Sequence, residues 1–99
     1  MKSIYHPDAE KEFLKAIDYY EECRIGLGYE FAIEVYSAIE RIIEYPDAWP
    51  VVEEDIHRCL TQRFPFGILY TLEKNQIYIL AVMQLQRDPD YWKNRIKED

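Results

Sequence analysis

Ile77, Tyr78, Ile79, Leu80, Ala81, Val82, Met83, Gln84 and Leu85 run without a break into Gln86, Arg87, Asp88, Pro89, Asp90, Tyr91, Trp92, Lys93, Asn94 and Arg95. The first nine positions are apolar at all but Gln84, the pattern of a central strand buried on both faces. Such a strand needs two covers. One must be a layer of helices, and the other is either the C-terminal segment or a partner. The strand also delivers Arg87 to its rim, where Pro89 opens a short aromatic segment.

Working back from that strand, Glu73 to Gln76 form a hairpin connection to Phe66–Leu72. There Phe66, Ile68, Tyr70 and Leu72 alternate with Gly67, Leu69 and Thr71, so the first set forms a half-buried face. Ile56 to Arg63 is a further strand of mixed polarity, and Pro46 to Asp55 is a loop with an acidic tip at Glu53, Glu54 and Asp55. Upstream lie two amphipathic helices. Pro7 suits a first helical position, Asp8 and Glu10 favour the positive end of the helix dipole, and Ala9, Phe13, Ala16, Ile17 and Tyr20 mark one apolar face. Gly26 and Gly28 stop this helix near Arg24. The second runs from about Tyr29 to Tyr45 with the stripe Phe31, Ala32, Val35, Ala38, Ile39 and Ile42, and Pro46 ends it. Lys2 to Tyr5 is a short opening strand.

Helices followed by strands indicate an α+β domain with a largely antiparallel sheet. The expected core joins Phe13, Ile17, Tyr20, Phe31, Val35, Ile39 and Ile42 to Ile68, Tyr70, Ile79 and Ala81.

At 99 residues the chain is a single domain spanning 1–99. An apolar share of 48% and a charged share of 31% are those of a folded globule. No apolar stretch approaches the roughly 20 residues of a membrane span, and Met1 to Pro7 lack a signal-peptide core, so the cytoplasm is the expected compartment. Cys23 and Cys59 read as free thiols, with a lone disulfide as the alternative. With only His6 and His57 to join them, and at spacings unlike those of ligand pairs, no metal site and no cofactor is expected.

The net charge of −7 divides unevenly. Residues 1 to 55 carry 5 Lys and Arg against 14 Asp and Glu, and residues 56 to 99 carry 7 against 5. An acidic body repels nucleic acid at long range, so any such role must rest on a local cluster. Arg58, Arg63 and Arg87 are the candidates.

Several marks fall in a telling order. Pro7 and Ala9 open the first helix, Tyr19, Tyr20 and Glu21 sit near its end, and Phe31, Tyr45 and Pro46 mark the second. Arg63, Phe64, Pro65, Phe66 and Tyr70 follow, then Ala81 and Val82, and finally Arg87, Pro89, Tyr91, Trp92 and Arg95. Over essentially its whole length the chain resembles the RelE/ParE superfamily, the toxins of bacterial type II toxin–antitoxin systems, which include plasmid-stabilisation proteins. The resemblance implies a β-strand, a two-helix hairpin, an antiparallel three- to four-stranded meander and a short C-terminal helix. It also implies a cognate antitoxin and one of two modes of action, with an attenuated toxin retained as an antitoxin-binding module as a third alternative. The ParE-like branch poisons DNA gyrase by protein–protein contact, whereas RelE-type members cleave mRNA on the ribosome.

Cleavage of RNA requires a proton acceptor for the 2′-hydroxyl, a proton donor for the leaving oxygen, and cations placed in advance for the phosphorane. Arg58, Arg63, Arg87 and Tyr91 are the residues that could serve. Gln84 stands where many relatives carry a histidine, and an amide transfers no proton at neutral pH. Three arginines without an acid–base pair favour the binding mode, whose expected surface is Arg63, Gln84, Arg87, Tyr91 and Trp92. Bland roles stand beside these. Trp92 and Tyr91 could anchor the terminal segment, Arg58 and Arg63 could pair with the acidic helices or the acidic tip, and Arg87 could pair with Asp88 or Asp90. The acidic first half calls for an antitoxin tail bearing Lys or Arg.

Overall fold

The computed structural model describes residues 1–88 and 90–97. Pro89, expected to open the terminal segment, lies outside the described residues. The elements are β1 (Lys2–Tyr5), α1 (Pro7–Cys23), α2 (Leu27–Glu44), β2 (Val51–Glu53), β3 (Ile56–Leu60), β4 (Phe66–Glu73), β5 (Gln76–Gln84) and a 3-10 turn at Lys93–Lys97. β2 to β5 form the antiparallel meander, and β1 adds to the outer side of β5 in parallel, giving the order β1-β5-β4-β3-β2. No helix among the described residues is long and apolar enough to cross a membrane.

Four boundaries depart from the sequence reading, each for a local reason. The stretch Pro46–Asp55 is not all loop, because Val51 to Glu53 pair with β3. β3 stops at Leu60 rather than Arg63, since Glu34 of α2 draws Gln62 and Arg63 away by accepting both their N–H groups at 2.8 Å. The short C-terminal helix is a 3-10 turn. α2 begins at Leu27, two residues before the expected start, because its cap comes from the other helix. Glu21 of α1 accepts from Gly26 N at 2.9 Å and Gly28 N at 3.1 Å, satisfying N–H groups that a helix start leaves open. Gly26 has a φ of 91°, which favours glycine. A Cβ on Gly28 would lie 2.5 Å from the Ile17 carbonyl oxygen, so glycine is what lets the two helices meet there.

At its own start α1 is capped by a histidine, the Nδ1 of His6 accepting from Asp8 N at 3.0 Å. The His6 N–H donates to the Ile79 carbonyl at 2.8 Å and so fastens the helix origin to β5. The β4–β5 turn carries positive φ at both Lys74 (50°) and Asn75 (62°), the mirror-image turn whose twist matches a hairpin.

Two cores flank the sheet. The larger joins Phe13, Phe31, Val35, Ile39 and Ile42 of the helices to Ile68, Tyr70, Ile77, Ile79 and Val82. Aromatic rings concentrate at one end of it, with Phe31 and Phe66 4.8 Å apart and Tyr20 and Phe64 also 4.8 Å apart. Ile17 and Tyr20 pack on this core from partly buried positions. Ala81, expected here, instead belongs to the second core with Ile56, Leu69, Leu80 and Met83, on the other face. The cause is a bulge. Leu69 pairs with Ala81 but Tyr70 pairs with Ile79, so Leu80 is an extra residue that reverses the alternation. Trp92, 3% exposed, closes the second core, so the C-terminal segment supplies the second cover of β5.

Val35 is fully buried between helix and sheet, and Val35→Ala should cost on the order of 1–4 kcal/mol. Gly28→Ala should also lower the midpoint of thermal unfolding, since the added methyl forces α1 and α2 apart. Circular dichroism melts of the two variants check both expectations.

Candidate functional site

Arg63 sits in the β3–β4 loop and turns back onto α2. Its Nε donates to Glu34 at 3.0 Å and its Nη2 to Glu30 at 3.1 Å. Glu34 thus accepts two backbone N–H groups and a guanidinium. Burial pushes the Glu34 carboxyl up, but the bonds from Arg63 and Gln62 outweigh it, and the net direction is down. Arg63 is therefore a pin between loop and helix. It borders a concavity of about 370 Å³ shared with Tyr29, Ile33, Ser37 and Arg41.

Arg58 lies elsewhere. It stands on β3 with its side-chain carbons about 3.3 Å from where a Cβ on Gly67 would be, and it lines a smaller concavity of about 140 Å³ with Glu53, Leu69, Met83, Asp90 and Trp92. Lys93 reaches Glu53 at 3.0 Å and Asp90 at 3.2 Å on that side, tying the terminal segment to β2. Trp92 lies in the core, where it matches the anchoring role.

A concavity of about 480 Å³ opens between α1 and the far end of β5, where β1 has already stopped. Ala16, Tyr20, Phe66 and Val82 form its apolar part, and Glu12, Lys15, Tyr19, Gln84 and Arg87 surround it. Gln84 and Arg87 are two expected residues that the fold brings to this concavity. Neither Arg87 nor Lys15 forms an ion pair with another described residue. The Arg87 guanidinium instead lies 4.2 Å over the ring of Tyr91, and Arg95 lies 5.0 Å from the same ring.

Tyr91 is held inside this stack. Its hydroxyl is buried and makes no hydrogen bond among the described residues. Burial first, and then the nearby Glu12 carboxylate, raise the phenol well above its ordinary value, so Tyr91 is protonated and offers no base at neutral pH. Beside it, Arg95 bonds Glu12 at 2.8 and 3.1 Å and the Leu80 carbonyl at 2.8 Å, while Glu12 also accepts from Val82 N at 3.1 Å. The imidazoles are occupied away from the groove. His6 caps α1, and His57 meets the Trp49 carbonyl at 2.7 Å and stacks on Tyr70 at 5.1 Å. The groove therefore presents Lys15 and Arg87, the Glu12 carboxylate held by Arg95, and an apolar floor.

Sequence reasoning passed over Glu12 and Lys15. The signal for Glu12 was present: it lies three residues after Ala9 and four before Ala16, which sets a carboxylate within the apolar stripe. A charge there requires a buried partner, and Arg95 is that partner.

The depressed carboxyl of Glu34 fixes a sign. Its contribution to stability is complete above the ordinary carboxylate range and fades as pH falls through its lowered value. Glu34→Gln should thus lower stability at neutral pH, and the difference from the wild type should shrink in acid. Urea unfolding at several pH values measures this.

The chain matches no family model and has no significant match among curated proteins. Among solved structures it is similar to a chain of the "Chromosomal ParDE TA system from P. aeruginosa", with a TM-score of 0.64 and 14% identity, over 86% of this chain and 96% of that one. At that identity the likeness speaks for architecture. The strand, helical hairpin, four-stranded meander and closing turn described above are an α+β fold shared with that ParDE chain.

Proposed function

We propose that this chain is the toxin component of a type II toxin–antitoxin module, neutralised in the cytoplasm by a co-encoded antitoxin and acting through protein contact, with DNA gyrase as the target class. The likeness to the ParDE structure supports the module. The observation that carries the mode of action is the scatter of the cations. Arg58, Arg63 and Arg87 border three separate concavities, and Arg63 is committed to two carboxylates. A phosphorane needs converging donors, and these diverge.

The groove between α1 and β5 is the docking place we assign to the antitoxin. Its apolar floor suits aliphatic or aromatic anchors on a helix or an added strand. The field of the first half calls for a basic tail, but Lys15 and Arg87 reverse that sign at the groove itself, where an acidic residue beside an apolar anchor fits. Charges of this kind act chiefly on association rate.

Two measurements test these points. With the protein encoded by the neighbouring reading frame as ligand, Lys15→Glu with Arg87→Glu should slow association by about 10-fold or more and weaken its salt dependence. Unchanged kinetics would place the antitoxin elsewhere. Expression of the chain without that partner should give filamentation and DNA damage, as gyrase poisoning does. Early arrest of translation, with mRNA cut on ribosomes and the cutting abolished by Arg87→Ala, would establish the RelE-type nuclease instead.

A further inference from the structure

From Gln76 to Gln84 the strand β5 holds no charged residue and no proline. Uncharged segments of this length with high β-propensity pair with copies of themselves when an edge is open. β1 protects the outer edge of β5 only as far as Ile79, whose carbonyl accepts from His6 N. Beyond it, the Leu80 carbonyl and the Val82 N–H have no neighbouring strand. Two side chains meet them instead. Arg95 Nη1 donates to Leu80 O at 2.8 Å, and Glu12 Oε1 accepts from Val82 N at 3.1 Å. The two close on each other at 2.8 Å, with the Arg95 side chain 9% exposed. A donor and an acceptor thus occupy the places where the N–H and C=O of an adjoining strand would stand.

We infer that the Glu12–Arg95 pair is an edge lock, which substitutes for the missing continuation of β1 and keeps a second copy of this chain from adding its own β5 to the sheet. A second copy is the occupant because β5 is uncharged and self-complementary. Antiparallel pairing across a two-fold axis sets the same apolar residues opposite one another. The net charge of −7 opposes such an encounter only at long range, and salt screens it. The lock also couples the two ends of the chain, since its halves come from α1 and from the terminal turn.

The decisive variant is Glu12→Ala, which removes the acceptor for Val82 and leaves Arg95 unpaired. Sedimentation velocity should show concentration-dependent dimers and larger species at concentrations where the wild type keeps its size. Hydrogen exchange at the Val82 amide should quicken by roughly 10- to 100-fold, the equivalent of one hydrogen bond to a charged group. The amides of Ala81 and Met83, paired with Leu69 and Gly67 of β4, should keep their protection. Glu12→Gln, which retains an oxygen acceptor, and Lys15→Ala, on the same helix, should sediment as the wild type does. A folded Glu12→Ala protein of wild-type size would overturn the inference. Should that variant not fold, exchange in the wild type decides. Protection of Val82 equal to that of Ala81 and Met83 supports the lock, and the fast exchange of an open edge overturns it.

Discussion

Leu80 is one residue more than β4 can pair with, and this single insertion organises the molecule. On its N-terminal side, Ile77 and Ile79 face the helices. On its C-terminal side, Val82 takes over that duty while Ala81 and Met83 turn to the opposite face. One strand thereby feeds two cores, and each core recruits its own cover. The helical hairpin closes the first, and Trp92 closes the second. The bulge sits immediately after β1 ends at Ile79, so the edge left open is also the edge whose direction has just changed. The groove, the Tyr91 stack and the Glu12–Arg95 pair are all arranged around that place.

The electrostatics follow the same division. Most acidic side chains are spread over the helices, yet Glu34 and Glu12 each bond backbone N–H together with an arginine from distant sequence. Glu34 holds Arg63 and the loop after β3, and Glu12 holds Arg95 and the terminal turn. Each joins a helix to a part of the chain that the hydrophobic pattern alone would leave loose. An exposed ion pair contributes little stability, whereas a pair that also satisfies backbone groups fixes geometry. What remains cationic and unpaired among the described residues near the groove, Lys15 and Arg87, is set against an otherwise negative surface.

Much of this was legible in the residues. The uninterrupted apolar run of β5 announced two covered faces, and periodicity located both helices within a few positions. The parallel seat of β1 was not legible, because a four-residue strand carries no mark of its neighbour. Nor was the bulge, since a strand apolar at nearly every position gives the same pattern before and after a reversal of faces, and this is why Ala81 was assigned to the wrong core. The early start of α2 was hidden because its cap, Glu21, is a residue of the preceding helix rather than the usual one at the helix's own threshold. Gln84 and Arg87 were both expected on one surface with Arg63, Tyr91 and Trp92, and the first two line one concavity. The pairing of Arg63 with an acidic helix was among the expectations, but which carboxylates it meets depends on contacts across about thirty positions, which no local pattern encodes.

The cap from Glu21 has a further consequence for how the chain is made. Because the end of α1 supplies the first acceptor for α2, the hairpin closes on contacts only a few residues apart and can form while synthesis is still under way. The sheet has no such freedom. Lys2 pairs with Gln76, so β1 must wait for β5 before it finds its neighbour. Until then β1 trails from a finished pair of helices without a sheet to join. The concavity between α1 and β5 therefore takes shape only once β5 has been made and the sheet has closed.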